Sequence, residues 1–364
     1  MSTPGINWSR LVAWMASNVP DVGEPTGVSL ISGGKSNLTY RIDTRIDTRI
    51  DTRIDTRIDT RVDTGDRALV LRRPPLGHVL PTAHDMRREW RVISALAGTA
   101  VPVPEPVALC VDEDVIGAPF YLMGHVEGQA VRGRQDVRLS PEDARALSER
   151  LAEILAAIHA VDYEAVGLAD FGRPDGYMVR QLERWGQQWE RSKTRELPEY
   201  DRLAARLRDR LPAASRAALV HGDYRLDNTL VRLAPGAAPD IRAVVDWEMS
   251  TLGDPIADLG LTLTYWHDPG DDERSALPVA GDITLTPGFL DSRGFAEHYA
   301  RVSGADLGDL DFYLAFGNYK LAVIVEGIHA RFVQGKTVGE GFDEIGAAVP
   351  LLVARAHRAL DEGL

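Results

Sequence analysis

Cysteine is almost absent: Cys110 is the only one in 364 residues. A single thiol excludes an internal disulfide framework, and its place in the apolar run Val107-Ala108-Leu109-Cys110-Val111 is that of a buried structural thiol rather than a catalytic one. Lysine is scarce too, present only at positions 35, 193, 320 and 336, so the cations are nearly all arginine. Cations as a class fall short of anions, 41 against 54, which leaves a formal charge of −13. That balance, with no basic stripe, excludes a nucleic-acid partner, because phosphate backbones are bound with surplus cations. It still permits a local cationic pocket for one nucleotide. No apolar run approaches membrane-spanning length, and Met1-Ser2-Thr3-Pro4-Gly5 lacks the charged-then-apolar pattern of a signal peptide. The expectation is a cytoplasmic protein with no membrane partner.

What remains is ordinary for a soluble globular chain, 44% hydrophobic and 26% charged. The length fits two packed lobes or one large α/β domain. Residues 8–19 carry Trp8, Leu11, Val12, Met15 and Val19 at helical spacing. Leu30 to Tyr40 reads as strand, glycine turn, strand. Then Ile-Asp-Thr-Arg occurs five times in tandem from Ile42 to Arg61 and decays into Val62-Asp63-Thr64-Gly65. In a strand this even period puts Ile and Thr on one face and Asp and Arg on the other. With the five copies excised, Leu38–Arg41 runs into Val62–Asp66 and Arg67–Leu71 as a plain hairpin. Residues 42–61 therefore read as an insert in a hairpin, at a place where chains tolerate insertion.

Downstream, Asp85–Ala97 has a helical pattern and the prolines at 102, 104 and 106 demand extended chain. Pro119–Met123 is a short apolar strand. At Ser140-Pro141-Glu142-Asp143 a capping residue, a proline and acids open a helix, continued by Leu147, Leu151, Ile154, Leu155 and Ile158. The rest is mostly helical, with two strand-like runs near 219–248. The expected fold is thus α+β and bilobal: a β-rich N-terminal lobe over residues 1–123 and a mainly helical C-terminal lobe over 124–364, hinged near Met123.

The chemistry concentrates in Leu219-Val220-His221-Gly222-Asp223-Tyr224-Arg225-Leu226-Asp227-Asn228 and in Arg242-Ala243-Val244-Val245-Asp246-Trp247-Glu248. One strand delivers a carboxylate, an amide follows five residues on, and a second strand end delivers another carboxylate. Phosphoryl transfer needs a group to orient the attacking hydroxyl and oxygen ligands for the metal on the nucleotide. Asp223 suits the first task. Asn228 and Asp246 supply the hard oxygens Mg²⁺ prefers. Arg225 is placed to neutralise charge on the migrating group. His221 reads as loop support. As mere turn formers, His-Gly-Asp with Asn at that offset would arise in on the order of one such chain in a thousand.

Nearer the N-terminus, Ser32-Gly33-Gly34-Lys35-Ser36 is not a Walker A loop, since Ser29 stands where that motif needs glycine. It reads instead as a turn that covers nucleotide phosphates, with Gly33, Gly34, Ser36 and Asn37 as candidates. A plain hairpin explains the same residues. Arg72, at the end of an apolar strand, and Glu89, on the following helix, have the order and spacing of a phosphate-binding cation and its carboxylate partner.

These motifs resemble the aminoglycoside phosphotransferase and choline kinase superfamily, the small-molecule relatives of protein kinases. The likeness rests on His-Gly-Asp-x4-Asn, on Asp246-Trp247-Glu248 and on Leu252-Gly253-Asp254-Pro255-Ile256-Ala257-Asp258-Leu259-Gly260. Within it, Ser32 to Tyr40, Leu71-Arg72-Arg73-Pro74-Pro75 and Tyr319–Arg331 resemble the kinase-like domain fused to some acyl-CoA dehydrogenases and its free-standing bacterial relatives. The resemblance implies a protein-kinase-like fold, ATP and Mg²⁺ as cofactors, Asp223 as base, Asn228 and Asp246 as metal ligands, and backbone around Met123 pairing with adenine. It implies a structural aspartate beneath the catalytic loop. Arg72 departs from the superfamily's lysine, and the two are not interchangeable at a phosphate. The implied partner is a small-molecule hydroxyl acceptor, a hydroxy acid or hydroxyacyl-CoA, for which Lys320 and Arg331 offer cations. The alternatives are an antibiotic phosphotransferase and a catalytically silent nucleotide-binding module.

Overall fold

The computed structural model describes residues 3–31, 37–45, 67–76, 85–213, 216–234, 236–275, 277, 281–335, 342 and 344–363. The chain forms two compact units. One comprises Met1–Ala97 with Val103–Glu127, and the other Gly98–Pro102 with Gly128–Leu364.

The first unit contains helix α1 (Trp8–Asn18) and strands β1 (Glu24–Leu30), β2 (Leu38–Arg45) and β3 (Arg67–Arg73). Helix α2 (Met86–Leu96), β4 (Pro106–Cys110), a single turn α3 (Glu113–Ile116) and β5 (Phe120–Gly124) follow. The strands make one antiparallel sheet in the order β1-β2-β3-β5-β4. Alternation divides its faces. Tyr40, Ile42, Leu69, Leu71, Phe120 and Leu122 pack with Leu11 and Met15 of α1 into one core. Arg72, Tyr121 and Met123 fall on the alternate face, Arg72 opposite Tyr121 and Val70 opposite Met123. Asp85 caps α2 by accepting from the amides of Arg87 and Arg88.

The first Ile-Asp-Thr-Arg copy forms the end of β2 rather than an addition to it. Ile42 pairs with Leu69 and Thr44 with Arg67, and both are buried while Asp43 and Arg45 turn outward. The remaining copies lie outside the described residues.

The second unit opens with α4 (Pro141–His159), whose cap Ser140 accepts from the Asp143 amide as the sequence predicts. It continues with α5 (Tyr177–Ser192) and α6 (Pro198–Asp209). The two strand-like runs resolve into four short strands: β6 (Ala218–Val220), β7 (Thr229–Arg232), β8 (Asp240–Val244) and β9 (Thr251–Gly253). They pair as two separate ribbons, β6 with β9 and β7 with β8. The extra strands went unread because each is five residues or shorter, too brief to show a period. Helices α7 (Pro255–Tyr265), α8 (Asp272–Ser275), α9 (Ser292–Ser303), α10 (Leu310–Val333) and α11 (Ala348–Glu362) complete the unit. Helices α7 and α10 cross so closely that a Cβ on Gly260 would stand 2.6 Å from the Tyr313 carbonyl oxygen. From the middle of α10, Lys320 reaches the Gly222 carbonyl in the turn after β6. No helix among the described residues is long and apolar enough to cross a membrane.

Candidate active site

In the first unit the structure brings Asn37, Arg72 and Glu89 together. Glu89, 1% exposed, accepts from Arg72 Nε at 2.7 Å, from Asn37 Nδ2 at 2.7 Å and from the Tyr121 hydroxyl at 2.9 Å. An uncompensated carboxylate at this depth would be strongly disfavoured, and three donors, one of them cationic, satisfy it. Tyr121 was not singled out from the sequence. It sits in an apolar strand with no local motif, and only the register that sets it opposite Arg72 marks it. Met123 shares that sheet face but is paired on both sides, with Val70 and Pro106. Gly33, Gly34 and Ser36 lie outside the described residues.

In the second unit Asp223, Arg225 and Asn228 converge on one loop after β6. Gly222 initiates it at φ +83°, and a Cβ there would stand 2.5 Å from the Met249 carbonyl oxygen, so only glycine fits. The Asn228 amide nitrogen donates to the Asp223 carbonyl at 2.8 Å and to its carboxylate at 3.0 Å. Arg225 lies 3.8 Å from the Asp223 carboxylate and 3.2 Å from that of Asp227, with its guanidinium 4.8 Å above the Tyr265 ring. Burial works against the Arg225 charge, but Asp223, Asp227, Tyr265 and Asp246 together hold its pKa above the ordinary value. Burial raises the Tyr265 phenol well above its usual pKa, and the charge of Asp223 and a hydrogen bond to it push the same way. Tyr265 thus borders the site, and it too escaped the sequence reading.

Asp246 follows β8 and is the only non-glycine residue with positive φ among those described, at +68°. Such a backbone is strained for an aspartate and persists where its surroundings over-determine it. The adjacent Val245 amide donates to the Asn228 carbonyl at 2.9 Å, which links the two candidate metal ligands through the backbone.

Beneath the loop, Asp258 of α7 accepts from the amides of His221 at 2.7 Å and Gly222 at 2.9 Å, and lies 3.3 Å from His159 Nε2. Burial alone would raise its pKa. The hydrogen bond and charge of His159, the charge of His221 and the His221 amide outweigh burial and hold it below the ordinary value. His221 supports the loop: Nε2 meets the Val245 carbonyl at 3.0 Å and Nδ1 accepts the Asp223 amide at 3.3 Å. Lys320 lies in the middle of α10. It is 9% exposed and donates from Nζ to the Gly222 carbonyl at 2.9 Å, whereas Arg331 is exposed.

A loop that presents a carboxylate, an amide and a guanidinium, with a second carboxylate tied to it, is the arrangement phosphoryl transfer uses. Residues 27–287 match the family model described as the phosphotransferase enzyme family. The chain belongs to that family. Among curated relatives, this phosphotransferase is 36% identical over 279 residues to acyl-CoA dehydrogenase family member 10 of Mus musculus, covering 74% of this chain and 25% of that one. It is 35% identical over 299 residues to acyl-CoA dehydrogenase family member 11 of Gallus gallus, covering 80% of this chain and 37% of that one. The chain therefore spans a quarter to little more than a third of the length of these two relatives. A crystal structure from Ralstonia eutropha, assigned to the aminoglycoside phosphotransferases, superposes with a TM-score of 0.78 at 32% identity, over 97% of this chain and 98% of that one. The bilobal α+β kinase-like fold and a small-molecule kinase activity accord with these likenesses, and the chain is a small-molecule phosphotransferase.

Proposed function

We propose that this phosphotransferase moves the γ-phosphoryl group of ATP, with Mg²⁺, to a hydroxyl of a small molecule, with Asp223 as the base. The observation that carries this reading is the Asp223 carboxylate, positioned by Asn228 at 3.0 Å and partnered by Arg225 at 3.8 Å. Asp223 takes the proton of the acceptor hydroxyl as its oxygen bonds to the γ-phosphorus. The bond to the β-phosphate oxygen breaks, and ADP leaves with that electron pair. Arg225 offsets negative charge spread over the transferring group. In the other unit, Arg72, fixed by Glu89, is assigned to the nucleotide phosphates with Asn37, Gly33, Gly34 and Ser36, and backbone near Met123 to the base.

The donor chemistry fits Mg²⁺. Asn228 and Asp246 offer amide and carboxylate oxygens, and no cluster of three or more His, Cys, Asp or Glu among the described residues would form an all-protein cage. Mg²⁺ is characteristically held by one or two such groups together with substrate phosphates. Once bound there it would draw charge from those phosphates.

For the acceptor, the likeness to the acyl-CoA dehydrogenase proteins favours a hydroxy acid or hydroxyacyl-CoA, and the likeness to the Ralstonia protein favours an aminoglycoside as the second reading. An ADP-release screen with hydroxy acids, hydroxyacyl-CoAs, amino alcohols and antibiotics separates the two. Asp223→Ala is expected to reduce turnover on the order of 10²- to 10⁴-fold with MgATP still bound. Turnover equal to the unmodified protein would remove Asp223 from the role, and no ADP release with any acceptor class would leave a silent nucleotide-binding module as the reading.

A further inference from the structure

Lysine occurs four times in this chain, and Arg does nearly all the work of a surface cation. Of the two among the described residues, one stands in the interior. Lys320, on the face of α10 that the close crossing with α7 presses inward, has its ammonium 2.9 Å from the Gly222 carbonyl and 5.5 Å from the centre of the Trp185 ring. The group it holds is the first peptide of the loop, at the residue whose left-handed backbone turns the chain toward Asp223. On the other side of the same turn, Asp258 accepts the His221 and Gly222 amides. The Gly222 residue is therefore gripped at its N–H by an anion and at its C=O by a cation. Both grips come from helices, and neither side chain belongs to the loop.

We infer that Lys320 is a positioning residue of the transfer reaction, fixing the Gly222 peptide so that Asp223 is presented in one orientation. The inference rests on Asp223 acting as the base. A compact ammonium with three rotatable donors suits one carbonyl at the end of a buried stem. The wider planar fork of arginine, which the chain prefers elsewhere, does not. Burial holds the Lys320 pKa below its ordinary value, helped by Arg184, while the charges of Asp223 and Asp258 work against that fall. The aromatic face of Trp185 adds a further cation contact. Burying a charge is unfavourable unless it is paired and hydrogen-bonded, and Gly222, Asp223 and Asp258 all lie on or beneath the loop. A lysine kept only to cover apolar surface would send its head to solvent.

The test uses Lys320→Met in the full chain, which keeps the stem and removes the donor and charge. Amide hydrogen exchange is followed by mass spectrometry. Exchange in the peptide spanning 219–228 is expected to quicken at least tenfold, with peptides from α4, α9 and α11 unchanged. ADP release is expected to fall tenfold or more in kcat, with KM for MgATP within about twofold. Loosening throughout the helical unit would make Lys320 an ordinary core residue and overturn the inference, as would unchanged loop exchange. If Lys320→Met gives no soluble protein, Lys320→Gln, too short to reach Gly222, carries the same two outcomes. Asp223→Ala is measured alongside. An inactive Asp223→Ala with a fully active Lys320→Met sinks this inference alone, whereas an active Asp223→Ala removes the reading on which it rests.

Discussion

Glu89 and Asp258 are both buried carboxylates, 1% and 3% exposed, yet they hold different things. Glu89 is satisfied by side chains from three separate places, Asn37, Arg72 and Tyr121, and so it orients side chains. Asp258 accepts two consecutive backbone amides and so it orients a main chain. The first arrangement draws each donor from a separate side chain and so can be re-tuned one residue at a time. The second constrains the path of the loop itself, where one residue must be glycine and a neighbouring segment carries an aspartate at positive φ. Adaptable chemistry is built from side chains here, and fixed geometry from peptides.

Three changes test that contrast, beginning with the largest effect. Glu89→Ala removes the carboxylate that lies 2.7 Å from the Arg72 side chain, itself 12% exposed. The expected loss is about 3–5 kcal/mol of unfolding free energy by denaturant titration, with weakened MgATP binding. Asp258→Asn keeps the shape but offers one acceptor oxygen to two amides. A loss of about 1–3 kcal/mol is expected, and turnover should fall more than MgATP binding. This second effect carries a pH signature. The folded pKa of Asp258 lies below the ordinary carboxylate value, so its contribution is present in full near neutral pH. It is lost as pH falls below about 4 and through the folded value. The melting temperatures of the parent and Asp258→Asn should therefore differ at pH 7 and draw together in acid. If Asp258→Asn disturbs nucleotide binding as much as turnover, the contrast between the two carboxylates fails.

The smallest effect is expected from deleting residues 42–61. In the shortened chain Val62-Asp63-Thr64 follows Arg41 and takes the places of Ile42, Asp43 and Thr44. Thr64 then faces Arg67 across Gly65-Asp66, a two-residue hairpin loop of a favoured kind. Replacing a buried Ile by Val costs about 0.5–1.5 kcal/mol, which thermal melting would register, and activity should be kept. Loss of soluble protein would show the repeat to be structural.

Much of this architecture was legible in the sequence because the signals are local. The cap at Ser140, the period of residues 8–19 and the five-residue spacing from Asp223 to Asn228 each sit within a few residues. The pairing of Arg72 with Glu89 was legible for another reason, since order and spacing in a phosphoryl-transfer context leave few arrangements. Tyr121, Tyr265 and the contact of Lys320 with Gly222 escaped the sequence because they come from distant parts of the chain. Lys320 lies 98 residues from Gly222 in sequence, and nothing in the helix around it marks the turn at which its head would end. The strained backbone of Asp246 has no sequence signature either, since an aspartate before Trp-Glu-Met reads as a strand end.

The repeat in β2 has a consequence of a different kind. Its unit is a whole number of codons, so copies gained or lost by slippage during DNA replication leave the reading frame intact. It is also an even number of residues, so the strand keeps the same side chains turned to the core whichever copy enters the sheet. Individuals or close relatives carrying different copy numbers would then share one hydrophobic core. The number of copies is a character that can drift without changing which side chains β2 turns to the core.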